Sequence, residues 1–361
     1  MASGPSEMDS VSRISVVIPV RDGGRYLAQA VGSILSQSYA GFRLHILENC
    51  STDQTPHILA TLRDPRVVVH PSDSVLSMED NWRRIRELDL LEYLTVLGHD
   101  DIFYPDFLDE IMTLVRENPT ATLYSSHFDI IDEWGRYLRR CRPIPYEESA
   151  EEFLRARHQH HRDSYGTGYV MRSRDFRSVD GFPRLPGLIY SDDLLWFRIA
   201  SLGGKVCSPR TMFAYRQRGT SVSRSVDLEG LYMASKGYLE ALLQERYAKD
   251  ERNSALARRF VERSYRGRIR WILVDLLRSG DGKAIRDFQN SLRAIIAQAR
   301  SDTLFSPADT ITSLAAMLLA VPLPTRARTA LATLFVWLAA VPQSRRVTTR
   351  GAGRSARDQE S

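Results

Sequence analysis

One short stretch decides the fold, Tyr93-Leu94-Thr95-Val96-Leu97-Gly98-His99-Asp100-Asp101. Its apolar run, 93–97, is typical of a buried strand in a parallel sheet. Ligands of open α/β sheets bind just beyond the carboxyl ends of such strands. Two carboxylates at that point suit a divalent cation carrying phosphate oxygens, because Mg2+ is usually held by one or two carboxylates together with substrate phosphates. Taken alone, the pair fits equally well a turn or a cap of the helix that follows Pro105.

Apolar runs alternate with helical patterns on both sides of this stretch, which predicts a mostly parallel sheet with flanking helices, an α/β domain. The further predicted elements are strands at 14–20, 44–47, 67–69 and 121–125, and helices at 26–35 and 106–115. Gly23 and Gly24 break the chain between the first strand and the first helix. We therefore expect a Rossmann-like arrangement in which the strand ends form a ligand-binding crevice.

The length of 361 residues favours one catalytic domain with a C-terminal appendage. Long helical patterns begin after Ser223, so we place a domain boundary near residue 225. The predicted organisation is a flexible arm at 1–12, an α/β domain at 13–224, a helical region at 225–343 and a basic, disordered tail at 344–361. The helical patterns occupy 228–247, 255–277 and 285–299, and two apolar stretches follow at 311–321 and 329–341.

The two apolar stretches are shorter than the roughly 20 residues that a membrane-spanning helix needs. They suit either helices packed in a core or an interfacial anchor. The net charge is +5, and the excess lies after Pro324, where seven arginines accompany two acidic residues. A neutral body with a basic tail argues against nucleic-acid binding. The tail fits contact with anionic lipid headgroups or, equally, a solvated disordered segment.

The N-terminal twelve residues lack the basic-then-apolar pattern of a secretory signal. The three cysteines, Cys50, Cys141 and Cys207, stand far apart without metal-ligand spacing, which is typical of reduced thiols. Together these features predict a cytoplasmic protein, with peripheral contact to the inner face of the cell membrane as an extension.

A histidine cluster, His158, His160 and His161, lies among arginines in the highly charged segment 139–163. Such a cluster invites a metal-site interpretation. Because no thiol or carboxylate stands at a fixed spacing from it, we favour a solvated surface or a mobile loop on the acceptor side.

Several ordered motifs resemble those of the inverting family 2 glycosyltransferases, which have the nucleotide-binding GT-A fold. The similarity starts with 14–27, 33–39 and 46–53, continues through Gly98–Asp106, and ends with 180–182 and 191–198. It covers roughly residues 13–223. No single motif is specific, but their order and spacing together are.

The resemblance implies a set of residues that bind the sugar-nucleotide donor. These residues are Pro19, Val20, Arg21, Asp22, Glu48, Asn49, Asn81, His99, Asp100 and Arg218. Asn49 carries a donor and an acceptor for the edge of a base. Relatives often have two aspartates where this chain has Glu48 and Asn49, which leaves uracil specificity open. For Asp53, before Thr55 and Pro56, we favour the role of a helix cap.

The resemblance also assigns Asp101 as the ligand of Mg2+ or Mn2+, with Asp100 reaching the ribose. Many relatives carry a further acid where this chain has Gly98, so water or diphosphate oxygens would fill the remaining positions. Relatives often have a histidine where Arg218 stands. An arginine does not ligate a metal but binds diphosphate in a bidentate manner.

The resemblance assigns the catalytic base to Asp192, through the alignment of Trp196 and Arg198 with the family's helix pattern. An inverting transfer needs one carboxylate on the acceptor side to take the hydroxyl proton. Asp193 competes for this role, and otherwise we expect it to cap the helix that carries Leu195.

The sequence thus predicts an inverting, metal-dependent glycosyltransferase that uses a nucleoside-diphosphate sugar. Its acceptor would be a saccharide or lipid-linked saccharide, in cell-envelope polysaccharide synthesis. The alternatives are a sugar-nucleotide nucleotidyltransferase, although 21–25 lacks the glycine-rich triphosphate loop, and a non-catalytic nucleotide-sugar-binding protein.

Overall fold

The computed structural model describes residues 13–218 and 227–279, together with five isolated positions between 287 and 295. The chain divides into two compact units, one of residues 1–265 with 299–306 and one of residues 266–298 with 307–361. The sheet, its flanking helices and every site residue belong to the first unit.

A ten-stranded sheet forms the centre of this unit. Its strands are β1 (Ile14–Val20), β2 (Phe42–Glu48), β3 (Val67–His70), β4 (Tyr93–Val96), β5 (Ile102–Phe103), β6 (Leu123–Ile131), β7 (Tyr137–Arg140), β8 (Glu147–Glu148), β9 (Val170–Arg172) and β10 (Lys205–Arg216). Their order is β3-β2-β1-β4-β9-β6-β10-β5, with β7 added to β6 and β8 to β10.

The helices are α1 (Leu27–Leu35), α2 (Thr55–Thr61), α3 (Met78–Arg83), α4 (Phe107–Glu117), α5 (Ala150–His158), α6 (Ser173–Ser178), α7 (Ser191–Gly203), α8 (Leu228–Gln244) and α9 (Glu251–Ser279). None of the helices within 13–218 and 227–279 combines the length and the apolar character that a bilayer-spanning helix needs.

Strand directions bring one set of strand ends together. β1, β2, β3 and β4 are mutually parallel, and β6 and β10 are parallel to each other. β9 runs antiparallel to both β4 and β6, so all six of these strands point the same way. Their carboxyl ends therefore share one edge of the sheet, which is where ligands of such sheets bind.

The predicted mixed α/β class and the mostly parallel sheet are confirmed. Each predicted strand is present, although β2 begins earlier than expected and β6 runs from Leu123 to Ile131 rather than from 121 to 125. The predicted first two helices are α1 and α4, and the patterns at 228–247 and 255–277 correspond to α8 and α9. The predicted arm, both apolar stretches, the basic tail and the boundary near 225 lie outside the described residues.

The prediction of a solvated or mobile loop around the histidine cluster was wrong for His158. The segment contains α5, which begins with a capping box formed by Ser149 and Glu152. Its Phe153, Leu154 and His158 are buried at helical spacing. Charged residues on the outer face of α5 hid this apolar face in the sequence.

Candidate active site

The loops that follow β1 and β2 form the first wall of the strand-end crevice. The backbone N–H of Asp22 donates to Ser51 Oγ over 3.0 Å, and its carboxylate accepts from the N–H of Thr52 over 2.8 Å. Asp22 and Cys50 both adopt positive φ, at 51° and 48°. Such strained backbone is held only where surrounding bonds fix it, as at ligand-binding edges.

Asp53 joins these two loops. One of its oxygens accepts from the N–H of Gly24 and the other from the N–H of Thr55, the first residue of α2. These bonds lower the pKa of the Asp53 carboxyl, against the effect of its partial burial. The geometry agrees with the expected cap and adds a second role, because the same carboxylate fixes the turn before α1.

The side chains of Asn49 and Asn81 are engaged with the protein itself. Asn49 Nδ2 donates to the carbonyl of Leu76 over 3.0 Å, and Asn49 Oδ1 accepts from the N–H of Leu76 over 2.8 Å. Asn81 is buried, and its Oδ1 accepts from Arg84 over 3.0 Å. Both asparagines thus shape the loop at the end of β2, with their amides turned to neighbouring backbone and to Arg84.

Glu48 plays a similar local role. Its carboxylate accepts from the N–H groups of Cys50 and Ser51, at 3.1 and 2.6 Å. The expected donor-binding positions Pro19, Val20 and Arg21 lie at the end of β1 beside this loop, since Val20 pairs with Glu48 in register. The structure therefore brings 19–22 and 48–49 to the same corner of the sheet edge.

The acidic pair lies after β4, where the sequence predicted it. The N–H of Asp101 donates to the carbonyl of Gly98 over 3.0 Å, so the pair sits in a turn. Asp101 is only 3% exposed, and its Oδ1 accepts from the N–H of Arg216 over 2.8 Å. Burial raises the pKa of Asp101 well above its usual range, and the charge of Asp100 adds to the rise.

The two arginines beside this acidic pair, Arg216 and Arg218, already bind other groups of the protein. Arg218 Nε lies 2.5 Å from Asp100 Oδ2. Arg216 donates from Nε to the carbonyl of Asp100 and from Nη2 to Gln29, at 2.7 and 2.9 Å. Among the residues that the structure describes, no guanidinium forms an ion pair with the buried carboxylate of Asp101.

This arrangement fits a divalent cation with few protein ligands. In the described part of the chain, no three His, Cys, Asp or Glu side chains are grouped to hold a metal ion. Asp101 would therefore be the protein ligand, and diphosphate oxygens and water would fill the other positions, as Mg2+ tolerates. A cation there would also balance the charge buried at Asp101.

His99 and Tyr26 complete this part of the crevice. His99 packs against the Gly23 turn, and burial lowers the pKa of its imidazole. The guanidinium carbons of Arg216 and Arg218 lie 4.8 and 5.5 Å from the centre of the Tyr26 ring. Sequence reasoning missed Arg216 and Tyr26, although Arg216 is the last residue of β10 and stands two residues before Arg218.

The expected base lies in the first turn of α7. Tyr190 precedes this helix with φ of 66°, and Asp192 and Asp193 follow Ser191. Asp193 is buried, and both of its oxygens accept from Arg157 Nε, at 2.8 and 3.1 Å. Asp193 lies inside the helix and makes an ion pair with α5, so the expectation that it caps α7 was wrong.

The carboxyl of Asp192 is only partly buried and forms no ion pair with a described residue. Burial and the charge of Asp193 raise the pKa of Asp192 to about 7, against a smaller lowering effect of Arg157. A general base is most effective when its pKa lies near the working pH. Of the two neighbours, Asp192 is therefore the one with the electrostatics of a base.

Aromatic residues connect Asp192 to the acidic pair. Tyr215 on β10 stacks on Tyr165 with ring centres 3.6 Å apart. Burial raises the pKa of Tyr215, and the charges of Asp101, Asp100 and Asp192 all add to this rise, so both acidic sites act on this residue. Local sequence patterns contain no signal for this stack, because it forms only when β10 meets the loop before β9.

Comparison with known proteins agrees with this geometry. Residues 15–179 match the family model described as "Glycosyl transferase family 2". The chain carries a family 2 glycosyltransferase domain. An uncharacterized glycosyltransferase of Rickettsia felis is 27% identical over 134 residues, which cover 36% of this chain and 22% of that protein. One of Rickettsia prowazekii is 22% identical over 240 residues, or 64% of this chain and 73% of the relative.

Solved structures resemble the glycosyltransferase domain in fold. Staphylococcus aureus TarS 1–349 in complex with UDP-GlcNAc matches with a TM-score of 0.57 and 15% identity, over 89% of each chain. The predicted GT-A fold is thereby confirmed. The chain spans only about a fifth of the length of the Rickettsia felis relative and of two other Rickettsia relatives.

Proposed function

We propose that the protein transfers a sugar from a nucleoside-diphosphate sugar to a hydroxyl group of a saccharide or lipid-linked saccharide, in cell-envelope polysaccharide synthesis. The observation that carries this proposal is the proximity of two acidic sites to Tyr215: the N–H of the next residue, Arg216, binds Asp101, and the charges of Asp100, Asp101 and of Asp192 at the start of α7 all act on the Tyr215 hydroxyl. Because TarS was solved with UDP-GlcNAc, a UDP-sugar is the first donor to test.

Asp192 would take the proton of the acceptor hydroxyl as its oxygen attacks the anomeric carbon. The bond from that carbon to the diphosphate oxygen breaks on the opposite face, and the configuration inverts. Since the pKa of Asp192 is about 7, a large fraction of it is ionised and ready to accept a proton at neutral pH.

The departing diphosphate gains negative charge, which Arg218 would offset from its position beside Asp100. Asp101 would hold Mg2+ or Mn2+, which when bound would neutralise further diphosphate charge, and Asp100 would reach the ribose. The 19–22 and 48–49 corner would receive the nucleoside, in line with ligand binding at strand ends.

Product analysis separates this proposal from its alternatives. Incubation with a panel of UDP-, GDP- and dTDP-sugars and Mn2+ should release nucleoside diphosphate. A nucleotidyltransferase would instead consume or release pyrophosphate, and a binding protein would release neither. Family membership favours the transferase.

Two variants test the division of roles. Asp192→Asn should lower the rate of transfer by about a thousandfold, the usual contribution of a general base, while donor binding remains. Asp101→Asn should abolish the Mn2+-dependent thermal shift that UDP produces. The reverse pattern would contradict the assignment.

A peripheral membrane contact is a further part of the proposal. It rests on the apolar stretches 311–321 and 329–341 and the arginine-rich tail, all outside the described residues. Full-length protein should sediment with vesicles that contain phosphatidylglycerol, and glutamine at Arg345, Arg346 and Arg350 should weaken this. Equal sedimentation of both proteins would contradict it.

A further inference from the structure

Of the two adjacent carboxylates at the start of α7, one binds an arginine and the other does not. Asp192 and Asp193 are adjacent, yet Arg157 of α5 donates only to Asp193, with one nitrogen to both oxygens. In 13–218 and 227–279, no other cation forms an ion pair with either carboxylate. The buried carboxylate of Asp193 and the partly buried one of Asp192 thus face a single guanidinium, and that guanidinium binds Asp193, the residue that is not expected to react.

The other polar groups around this pair are neutral. Tyr215 of β10, Tyr190 before α7 and Tyr238 of α8 all have a raised pKa caused first by burial, so their hydroxyls stay protonated. Tyr165 is similar, with a pKa of about 12. Besides burial, Asp192 is therefore subject to the charges of Asp193 and Arg157, and its Oδ1 accepts from the N–H of Asp193 over 2.9 Å.

Arg157 is held rigidly in place by its neighbours. The guanidinium lies over the ring of Phe260, 5.3 Å from its centre. The next residue, His158, is buried, with Nδ1 2.9 Å from the hydroxyl of Tyr247 and Nε2 2.9 Å from the hydroxyl of Tyr238. These two bonds tie the end of α5 to α8 and to the segment that follows it.

His158 and His160 do not add a competing charge. Burial and the charge of Arg157 lower the pKa of His158 to about 3, and burial lowers the pKa of His160. Both imidazoles are thus uncharged near neutral pH, and Arg157 remains the one cation of α5 that acts on the two aspartates.

We propose that Arg157 and Asp193 form a positioning pair for Asp192, in which Asp193 binds the guanidinium and so leaves Asp192 free to accept the acceptor proton. This inference rests on the proposed role of Asp192 as the base. Without Asp193, Arg157 would be free to pair with Asp192 and hold it ionised, which weakens a base. Without Arg157, two uncompensated carboxylates would hold on to a proton at higher pH.

The two partners therefore have opposite effects on the acid limb of the pH–rate profile. Asp193→Asn removes a negative charge and releases Arg157, so the limb should move down by at least about one pH unit. Arg157→Gln removes the cation, so the limb should move up by a similar amount. The double variant should lie between them, because it removes both effects.

The profile is measured as nucleoside diphosphate release from the donor that the wild-type protein accepts, from about pH 5 to about pH 9. The matched control is Glu245→Gln. It breaks the 2.8 Å ion pair between Glu245 and Arg198, which lies in α7 like Asp192. The control should leave the limb in place. Shifts of equal sign in Asp193→Asn and Arg157→Gln, or no shift in either, would overturn the proposal.

A second readout does not depend on turnover. In protein labelled with 13C-aspartate, the carboxyl carbon of Asp192, assigned by its loss in Asp192→Asn, should titrate at lower pH in Asp193→Asn and at higher pH in Arg157→Gln. Arg157→Lys keeps the charge and should titrate near wild type, which guards against misfolding of the glutamine variant. If the titration of Asp192 shifts but no donor is turned over, the proposed function is wrong and the positioning role of Arg157 and Asp193 is supported. If donor is turned over without these shifts, only the positioning role is wrong.

Discussion

Arg218 Nε lies 2.5 Å from Asp100 Oδ2, and both side chains are mostly buried. The cation that replaces the histidine of many relatives thus neutralises one member of the acidic pair. A diphosphate entering beside Asp100 would offer Arg218 a second and stronger anionic partner.

We therefore expect Arg218→Gln to weaken UDP binding about tenfold, the effect of losing about 1.4 kcal/mol of charge-assisted bonding. Isothermal titration with Mn2+ measures this. Arg210→Gln is the control, since Arg210 lies on β10 and pairs with Glu110, and it should bind UDP as wild type does. Unchanged affinity in Arg218→Gln would remove Arg218 from the donor site.

Gly98 tests the position of the metal ligand. A Cβ atom at residue 98 would lie 2.6 Å from Asp101 Oδ2 and 3.1 Å from Asp100 Oδ1, so Gly98→Ala must displace both carboxylates. We expect its Mn2+-dependent affinity for UDP to fall at least about tenfold, because ligand placement is critical for a small divalent cation.

The control for this variant is Gly32→Ala. A Cβ atom there meets nothing within 4 Å on α1, and alanine favours a helix by up to about 1 kcal/mol. Gly32→Ala should therefore keep its affinity and gain stability. If Gly98→Ala bound UDP with Mn2+ as tightly as wild type, Asp101 would not be the ligand.

The sequence predicted the parallel half of the sheet well, because buried parallel strands are continuous apolar runs that need no partner to be recognised. β9 and β10 were not predicted. β9 has only three residues, and β10 is fixed by pairing with β6, some eighty positions earlier. Such long-range pairing is invisible to local patterns.

The candidate site shows the same limit. Motifs indicated Asp100, Asp101, Asp192 and Arg218, since these follow strands or begin a helix. The groups that bind these carboxylates or their neighbours, the N–H of Arg216 for Asp101 and the guanidinium of Arg157 for Asp193, come from other elements and emerge only from tertiary structure. For α5, the capping box at Ser149 and Glu152 was a usable local signal.

Asn49 should act mainly through structure. Asn49→Asp would place a carboxylate oxygen 3.0 Å from the carbonyl oxygen of Leu76, where a donor now stands. The buried repulsion and the lost bond should cost at least about 2 kcal/mol in the free energy of unfolding. Urea titration measures this.

Ser72→Ala provides the comparison, because it removes the hydroxyl contacts to Asn49 Oδ1 and to the carbonyl of Ser74, at 3.3 and 2.9 Å, and leaves the Leu76 bonds in place. It should cost about 1 kcal/mol or less, as the loss of a hydrogen bond between neutral groups usually does. An aspartate variant as stable as wild type would show that the Asn49 amide is free to face a ligand.

His158 makes the fold sensitive to acid. Its imidazole is buried between two tyrosine hydroxyls, and its pKa is lowered from 6.5 to about 3. Below about pH 6.5 the unfolded chain binds a proton that the folded chain refuses, so stability falls as the pH falls toward 3. Between about pH 7 and about pH 5, this one group should cost about 2 kcal/mol in the free energy of unfolding.

Urea unfolding at both pH values measures the stability that is lost on acidification. This loss should be about 2 kcal/mol smaller in His158→Gln than in the wild type. It should be the same as in the wild type in a variant of the exposed His57. A pH dependence unaffected by His158→Gln would mean that His158 is protonated in the folded protein, and that α5 is not held by a neutral imidazole.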